Sequence, residues 1–145
     1  MVDGAPAPLL VIGATGQIGD QILTRTRDRP VTAIAREPDR LPRQDRVRPV
    51  AFDAEQGHMT GPDAPRQAIA TLPVWLLAPR VDHFANHGIQ RLVCFSTTSV
   101  LGKADTSTPR EKAVVKRVQD AEQHLRERAL AHDMALTILR PTMIY

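Results

Sequence analysis

The chain contains a single cysteine, Cys94, among 145 residues. One thiol excludes an intramolecular disulfide framework and any zinc cluster built on cysteines, and it fits a reducing compartment. Aromatic residues are scarce too: Phe52, Trp75, Phe84, Phe95 and Tyr145 make up 3% of the chain. Modules that stack nucleic-acid bases on aromatic side chains therefore find little support, and no nucleic-acid partner is expected. No apolar run approaches the ~20 residues of a membrane span. No basic residue precedes the short run Leu9 to Ala14, as a signal peptide requires. These absences predict a protein without a membrane partner, located in the cytoplasm.

What is present is ordinary in bulk and uneven in detail. A hydrophobic content of 42%, a charged content of 24% and a net charge of +3 describe a globular domain. The length suits one core, so residues 1–145 are read as a single domain. The positive charge is almost all arginine, and it is concentrated. Arg25 to Arg48 holds eight arginines (25, 27, 29, 36, 40, 43, 46, 48) against Asp28, Glu37, Asp39 and Asp45, a local excess larger than that of the whole chain. The segment is either a solvated loop or an anion site, and with few aromatics to stack bases the anion is a small phosphorylated ligand.

Apolar runs of strand length alternate with helix-like stretches, the pattern of a parallel sheet with helices on both faces. Six strands are predicted: Leu9 to Ile12, Val31 to Ala35, Val47 to Phe52, Val74 to Ala78, Leu92 to Ser96 and Ala135 to Leu139. Pro49 assigns the third to a sheet edge. The first helix runs from Gln17 to about Arg27, with Ile18 and Ile22 on one face and Pro30 beyond its end. Gly57, Gly61, Pro62 and Pro65 leave room for only a short helix, Arg66 to Leu72, before the fourth strand. Residues 79–91 then form a minimal crossover whose short helix buries Val81, Phe84 and Ala85 and ends at Gly88. The last helix has an N-cap, a first-position proline and a capping-box glutamate in Thr108-Pro109-Arg110-Glu111, followed by an apolar stripe of Val114, Val118, Ala121 and Leu125. The fold class is α/β, a Rossmann-like doubly wound sheet in three layers.

One motif carries chemistry. Gly13-Ala14-Thr15-Gly16-Gln17-Ile18-Gly19 leaves the first strand and opens the first helix. Gly13 permits the sharp turn, Gly16 keeps a Cβ away from a pyrophosphate, and Gly19 allows helix and strand to approach. The free N–H groups and dipole at the helix start favour an anion. Strand, turn and helix in register predict dinucleotide binding through Gly13, Thr15, Gly16, Gln17, Ile18 and Gly19. An acid about 20 residues further on would accept the ribose hydroxyls of NAD, whereas a basic residue accommodates the 2′-phosphate of NADP. Here the second strand ends Ala33-Ile34-Ala35-Arg36. The cofactor expectation is therefore NADP rather than NAD, with Arg36 as the phosphate partner.

Beyond the glycine turn, Arg91-Leu92-Val93-Cys94-Phe95-Ser96-Thr97-Thr98-Ser99, Ala121-Glu122 and Leu139-Arg140-Pro141-Thr142-Met143-Ile144-Tyr145 carry a family likeness. With them the chain resembles the short-chain dehydrogenase/reductase superfamily, nearest to its extended and atypical branches, the NAD-dependent epimerase/dehydratase-like and NmrA-like proteins. The resemblance implies that Asp53 approaches the adenine and that Ala78 and Pro79 line the adenosine ribose. It also implies that Ser96 to Thr98 face the nicotinamide and that Pro141 with Thr142 close its far side.

The departures bear on catalysis. Family oxidoreductases and epimerases use a Tyr-x-x-x-Lys pair, in which the ammonium lowers the phenol pKa. The only tyrosine among these 145 residues is Tyr145, and no such pair stands within them. Counting back from Ala121-Glu122 puts Val114 and Val118 at the corresponding positions. The remaining candidates for a catalytic role are the hydroxyls of Thr97 and Thr98 and the charge of Lys103. His83 and His87 stand at a zinc-compatible spacing without a third ligand, so no metal is expected. The leading expectation is an NADP(H)-dependent oxidoreductase or isomerase acting on a small carbonyl or sugar-like substrate. The alternatives are a non-catalytic dinucleotide sensor of NmrA type and the nucleotide-binding part of a longer enzyme. Nothing in the sequence sets the oligomeric state.

Overall fold

Leu9–Ile12 (β1) is the apolar run that organises the molecule, and in the computed structural model all four of its residues are buried. The structure describes residues 7–51, 64–97 and 108–141. The chain turns from β1 into Gln17–Arg25 (α1) and returns through Val31–Ala35 (β2), a 3-10 turn at Pro38–Arg40 and Val47–Ala51 (β3). Gln67–Ala70 (β4) follows, then Val74–Leu77 (α2), a second 3-10 turn at Ala78–Arg80 and Val81–Asn86 (α3). Arg91–Phe95 (β5), Pro109–Ala131 (α4) and Ala135–Leu139 (β6) complete it. The six strands form one sheet in the order β3-β2-β1-β4-β5-β6, and every pair is parallel. This is the Rossmann-like architecture expected from the alternation of runs, and β3 with its proline lies at the edge.

Alternation along the strands divides the core in two. Leu10, Ile12, Ile34, Ala68, Ala70, Leu92 and Cys94 pack on one face with Val74, Leu77, Val81, Phe84, Val118 and Leu125. Leu9, Val11, Val31, Ala33 and Ala35 pack on the other with Leu23 of α1.

The fourth strand corrects the sequence reading. Gln67–Ala70, expected as part of a short helix, pairs with β1 in the register Leu9↔Gln67 to Ile12↔Ala70, and Val74–Leu77, expected as the strand, is helical. An apolar run of five residues does not by itself distinguish a strand from a buried helical turn. Burial distinguishes them: Val74 and Leu77 are buried while Leu76 is 52% exposed, a helical spacing that follows Pro73 at the N-cap. Ala68 and Ala70 look like poor strand formers in isolation, yet they are buried at the sheet centre.

Two smaller differences concern the helices. α1 stops at Arg25, where the Thr26 hydroxyl donates to the Ile22 carbonyl. On α4 the stripe begins at Val115 rather than Val114: Val115, Val118, Ala121, Glu122, Leu125 and Ala129 are buried, whereas Val114 is 46% exposed. The start of α4 is as expected, with Thr108 accepting a hydrogen bond from the Glu111 backbone N–H. Among the described residues no helix is long and apolar enough to cross a membrane.

Candidate functional site

Because all six strands are parallel, the residues that follow their C-terminal ends gather along one edge. Between β1 and β4 the strand order reverses direction, and in open α/β sheets this switch point is where ligands bind. The Gly13 to Gly19 turn occupies it. Gly13 adopts a positive φ of 82°. A Cβ there would stand 2.8 Å from Thr71 Oγ1 and 2.9 Å from Leu72 Cδ2, both at the β4 tip. The Gly13 and Ala14 N–H groups both donate to the Ile34 carbonyl, and the Thr71 hydroxyl donates to the Gly13 carbonyl. The turn is thus held from both neighbouring strands.

The other two glycines differ in kind. A Cβ on Gly19 would lie 2.5 Å from the Ala14 carbonyl oxygen, so its absence lets α1 lie against the turn. A Cβ on Gly16 would meet nothing within 4 Å. Gly16 is the N-cap of α1, and no side chain caps that end. Open space before an uncapped helix N-terminus fits a pyrophosphate, which would take the free N–H groups and the helix dipole. Thr15, Gly16 and Gln17 are exposed around this opening, with Ile18 half-buried beside them. Arg36 follows the end of β2 and is exposed.

At the other half of the edge, Ser96 and Thr97 follow β5 and Pro141 follows β6, all half-buried. The Ser96 N–H donates to the Leu139 carbonyl, joining the two tips. Behind them stands Glu122 of α4, 2% exposed. Its Oε1 accepts from the Ser96 hydroxyl at 2.5 Å and from Arg140 Nε at 3.1 Å. Its Oε2 accepts from Arg140 Nη2 at 2.5 Å and from Arg126 Nη2 at 3.1 Å. Burial alone would push the carboxyl up, but the hydrogen bonds from Arg140, Ser96 and Arg126 and the charge of Arg140 outweigh it and hold the group below the usual carboxylate range. The same cluster raises the Arg140 pKa, first through its hydrogen bond to Glu122. Cys94, one turn of the pleat earlier on β5, is pushed up to about 11 by burial and by the negative charge of Glu122.

The structure therefore brings together the glycine turn, Arg36, Ser96, Thr97 and Pro141 along one edge. Ala78 and Pro79 are not part of it. Once Gln67–Ala70 is the fourth strand, its tip is Thr71-Leu72-Pro73, while Ala78 is buried in the core and Pro79 is exposed in the crossover. Asp53, Thr98, Lys103, Thr142 and Tyr145 lie outside the described residues. Val118, which the count from Ala121-Glu122 puts at about the place of the family lysine, is buried in the core. Glu122 is what sequence reasoning missed. A signal was available, since an acid interrupts the stripe at the spacing of Val118, Glu122 and Leu125, and a charge on a buried stripe requires partners. Among the described residues no group of three His, Cys, Asp or Glu is placed to hold a metal ion.

A glycine turn opening an uncapped helix at the switch point of a parallel sheet is the arrangement of dinucleotide-binding α/β proteins. Residues 13–145 match the model of an NAD(P)H-binding family, and the chain belongs to that family. Solved structures share the fold. They include the oxidoreductase ylbE from Lactococcus lactis, with 19% identity and a TM-score of 0.66 over 92% of this chain and 68% of that one. A short-chain dehydrogenase/reductase superfamily protein from Agrobacterium tumefaciens, solved with bound NAD, has 16% identity and a TM-score of 0.65 over 92% of this chain and 48% of that one. ChuY from Escherichia coli O157:H7, described as an anaerobillin reductase, has 22% identity and a TM-score of 0.66 over 93% of this chain and 72% of that one. The chain spans about half the length of the second of these and about seven tenths of the others. These structures share the parallel-sheet α/β fold described above. No curated protein sequence matches.

Proposed function

We propose that the chain binds NADP(H) in preference to NAD(H) and serves as an oxidoreductase or isomerase on a small carbonyl or sugar-like substrate. The observation that carries this reading is the opening at Gly16 before the uncapped N-terminus of α1. There the first-turn N–H groups would take the pyrophosphate. Arg36, exposed at the end of β2, would take the 2′-phosphate with its fixed fork of donors. Thr71-Leu72-Pro73, rather than Ala78 and Pro79, would line the adenosine ribose. Ser96, Thr97 and Pro141 would flank the nicotinamide, with Asp53 and Thr142 assigned by resemblance to the adenine and to the far side of the ring. Thr97, Thr98 and Lys103 are the groups left to hold a substrate. When bound, the cofactor supplies the hydride chemistry, so the residues' task is to place a substrate against the ring. The test is NADPH oxidation, followed by absorbance, across a panel of small carbonyl compounds. Turnover supports the reading, and tight cofactor binding without turnover overturns its catalytic part.

A second reading, a dinucleotide sensor, is favoured by Val118. It is packed in the core where family catalysts carry the lysine of Tyr-x-x-x-Lys, so α4 offers no ammonium to lower a phenol pKa there. Equal affinity for NADP+ and NADPH, with a protein partner that joins only the loaded form, supports sensing. Turnover ends it.

A further inference from the structure

We infer that Glu122 fixes the Ser96 hydroxyl as a hydrogen-bond acceptor toward the nicotinamide end of a bound dinucleotide, so that the β5 tip selects a ring whose substituent carries N–H donors. The inference rests on the dinucleotide reading above and concerns how one end of that ligand is recognised. Glu122 is the one buried charged or polar side chain among the described residues. An apolar residue of similar volume at this place would commonly be as stable or more so. The carboxylate has instead gathered four hydrogen bonds, from β5, β6 and its own helix.

Those partners decide the polarity of Ser96. An ionised carboxylate only accepts, and a serine hydroxyl has one proton and two lone pairs. The proton of Ser96 goes to Glu122 Oε1. Arg140 grips both carboxylate oxygens from Nε and Nη2, so the carboxylate plane cannot rotate to release that proton. What Ser96 has left to offer a ligand is lone pairs. It cannot polarise a carbonyl oxygen, and any group it recognises must donate. On a nicotinamide ring that group is the carboxamide NH2.

A neutral glutamine at this place reverses the polarity. Its carbonyl oxygen is best placed where Oε2 stands, between Arg126 and Arg140 Nη2, because the opposite orientation sets its NH2 against two guanidinium N–H groups instead of one. The NH2 then faces Ser96, which must accept from it and turn its own proton outward.

The experiment compares NADPH with its acetylpyridine analogue, in which a methyl group replaces the amide NH2, by fluorescence titration of the wild type, Glu122→Gln and Ser96→Ala. The bisphosphorylated adenosine half of NADP serves as a probe of the other end. Wild type should bind NADPH about tenfold more tightly than the analogue, as expected for one hydrogen bond to a neutral acceptor. Both variants should lose that preference and keep the affinity of the adenosine fragment. Ser96→Ala, which leaves the Glu122–Arg140 pair intact, keeps the test decisive if Glu122→Gln fails to fold. A wild type that binds both equally, or a Ser96→Ala variant that retains the full preference, overturns the inference while leaving dinucleotide binding standing. Failure of wild type to bind either dinucleotide overturns the functional reading and the inference with it.

Discussion

Gly16 and Gly19 stand three residues apart in one turn, and the structure separates what each does. A methyl on Gly19 would sit 2.5 Å from the Ala14 carbonyl oxygen, 2.7 Å from its carbon and 2.8 Å from its Cα. All three are backbone atoms, so no rotamer change relieves the contact and α1 must move off the turn. Overpacking of this kind costs about 1–3 kcal/mol, offset by at most about 1 kcal/mol of helix propensity gained by alanine. Gly19→Ala should therefore lose about 1–2 kcal/mol, or roughly 2–8 °C in Tm for a chain of this size. Gly16 has φ −81° and ψ 176°, values that alanine adopts without strain, and open space where its Cβ would go. Gly16→Ala should leave stability within about 0.5 kcal/mol of wild type, the reduced freedom of the unfolded chain offsetting a weaker N-cap. Its methyl nevertheless projects into the space assigned to the pyrophosphate, so dinucleotide affinity should fall at least about tenfold, a loss of ~1.4 kcal/mol. Thermal unfolding without ligand and titration with NADPH measure the two effects separately. A Gly16→Ala variant that binds like wild type, or a Gly19→Ala variant with unchanged Tm, would refute the division.

Arg36→Ala should weaken NADPH by about tenfold or more, the worth of a charge-assisted hydrogen bond, and leave NADH unchanged; equal losses for both would remove Arg36 from the 2′-phosphate. The Glu122 carboxyl is lowered in the folded protein, so its contribution is complete above its unfolded pKa of about 4.3 and is lost as pH falls through the folded value. Asp82, lowered first by the hydrogen bond it accepts from Arg128 and then by the one it accepts from His132, acts in the same direction. Denaturant midpoints measured below about pH 5 should fall more gently for Glu122→Gln than for wild type, and parallel curves would count against the buried pair. Cys94, with its thiol pushed up to about 11, should react with a thiol reagent only in denaturant; prompt labelling of the native protein would contradict its burial.

The parts of this fold that could be read from the chain are those in which one local signal is strong. Leu9–Ile12 is a continuous apolar run, Thr108 to Glu111 a complete helix start, and Gly13 to Gly19 a turn with its strand and helix in place. β4 could not be read this way because its stability is contributed by its neighbours. Gln67 and two alanines, with Ile69 the one strong strand former among them, pair because β1 and β5 bracket them, whereas Val74 to Ala78 has the apolar look of a strand and folds as helix over the core. That one exchange moved the expected ribose contacts from Ala78 and Pro79 to the turn after Ala70. On α4 the expected stripe holds at Val118, Ala121 and Leu125, and only its first member differs, Val115 being buried in place of Val114. At the site, the glycine turn was legible because a sharp strand-to-helix turn needs glycines at fixed places, and Arg36 follows the end of β2, exposed, where the sequence puts it. The Glu122 cluster was not, because its partners Ser96 and Arg140 are 26 and 18 residues away and only folding brings them together.

Gly16 and Arg36 are proposed to meet the pyrophosphate and the 2′-phosphate of one bound dinucleotide. Parallel calorimetric titrations of wild type with NADPH and NADH test this most directly. Saturable binding of both at one site per chain, with NADPH the tighter, is the predicted result. Binding of neither, or tighter binding of NADH, would contradict it.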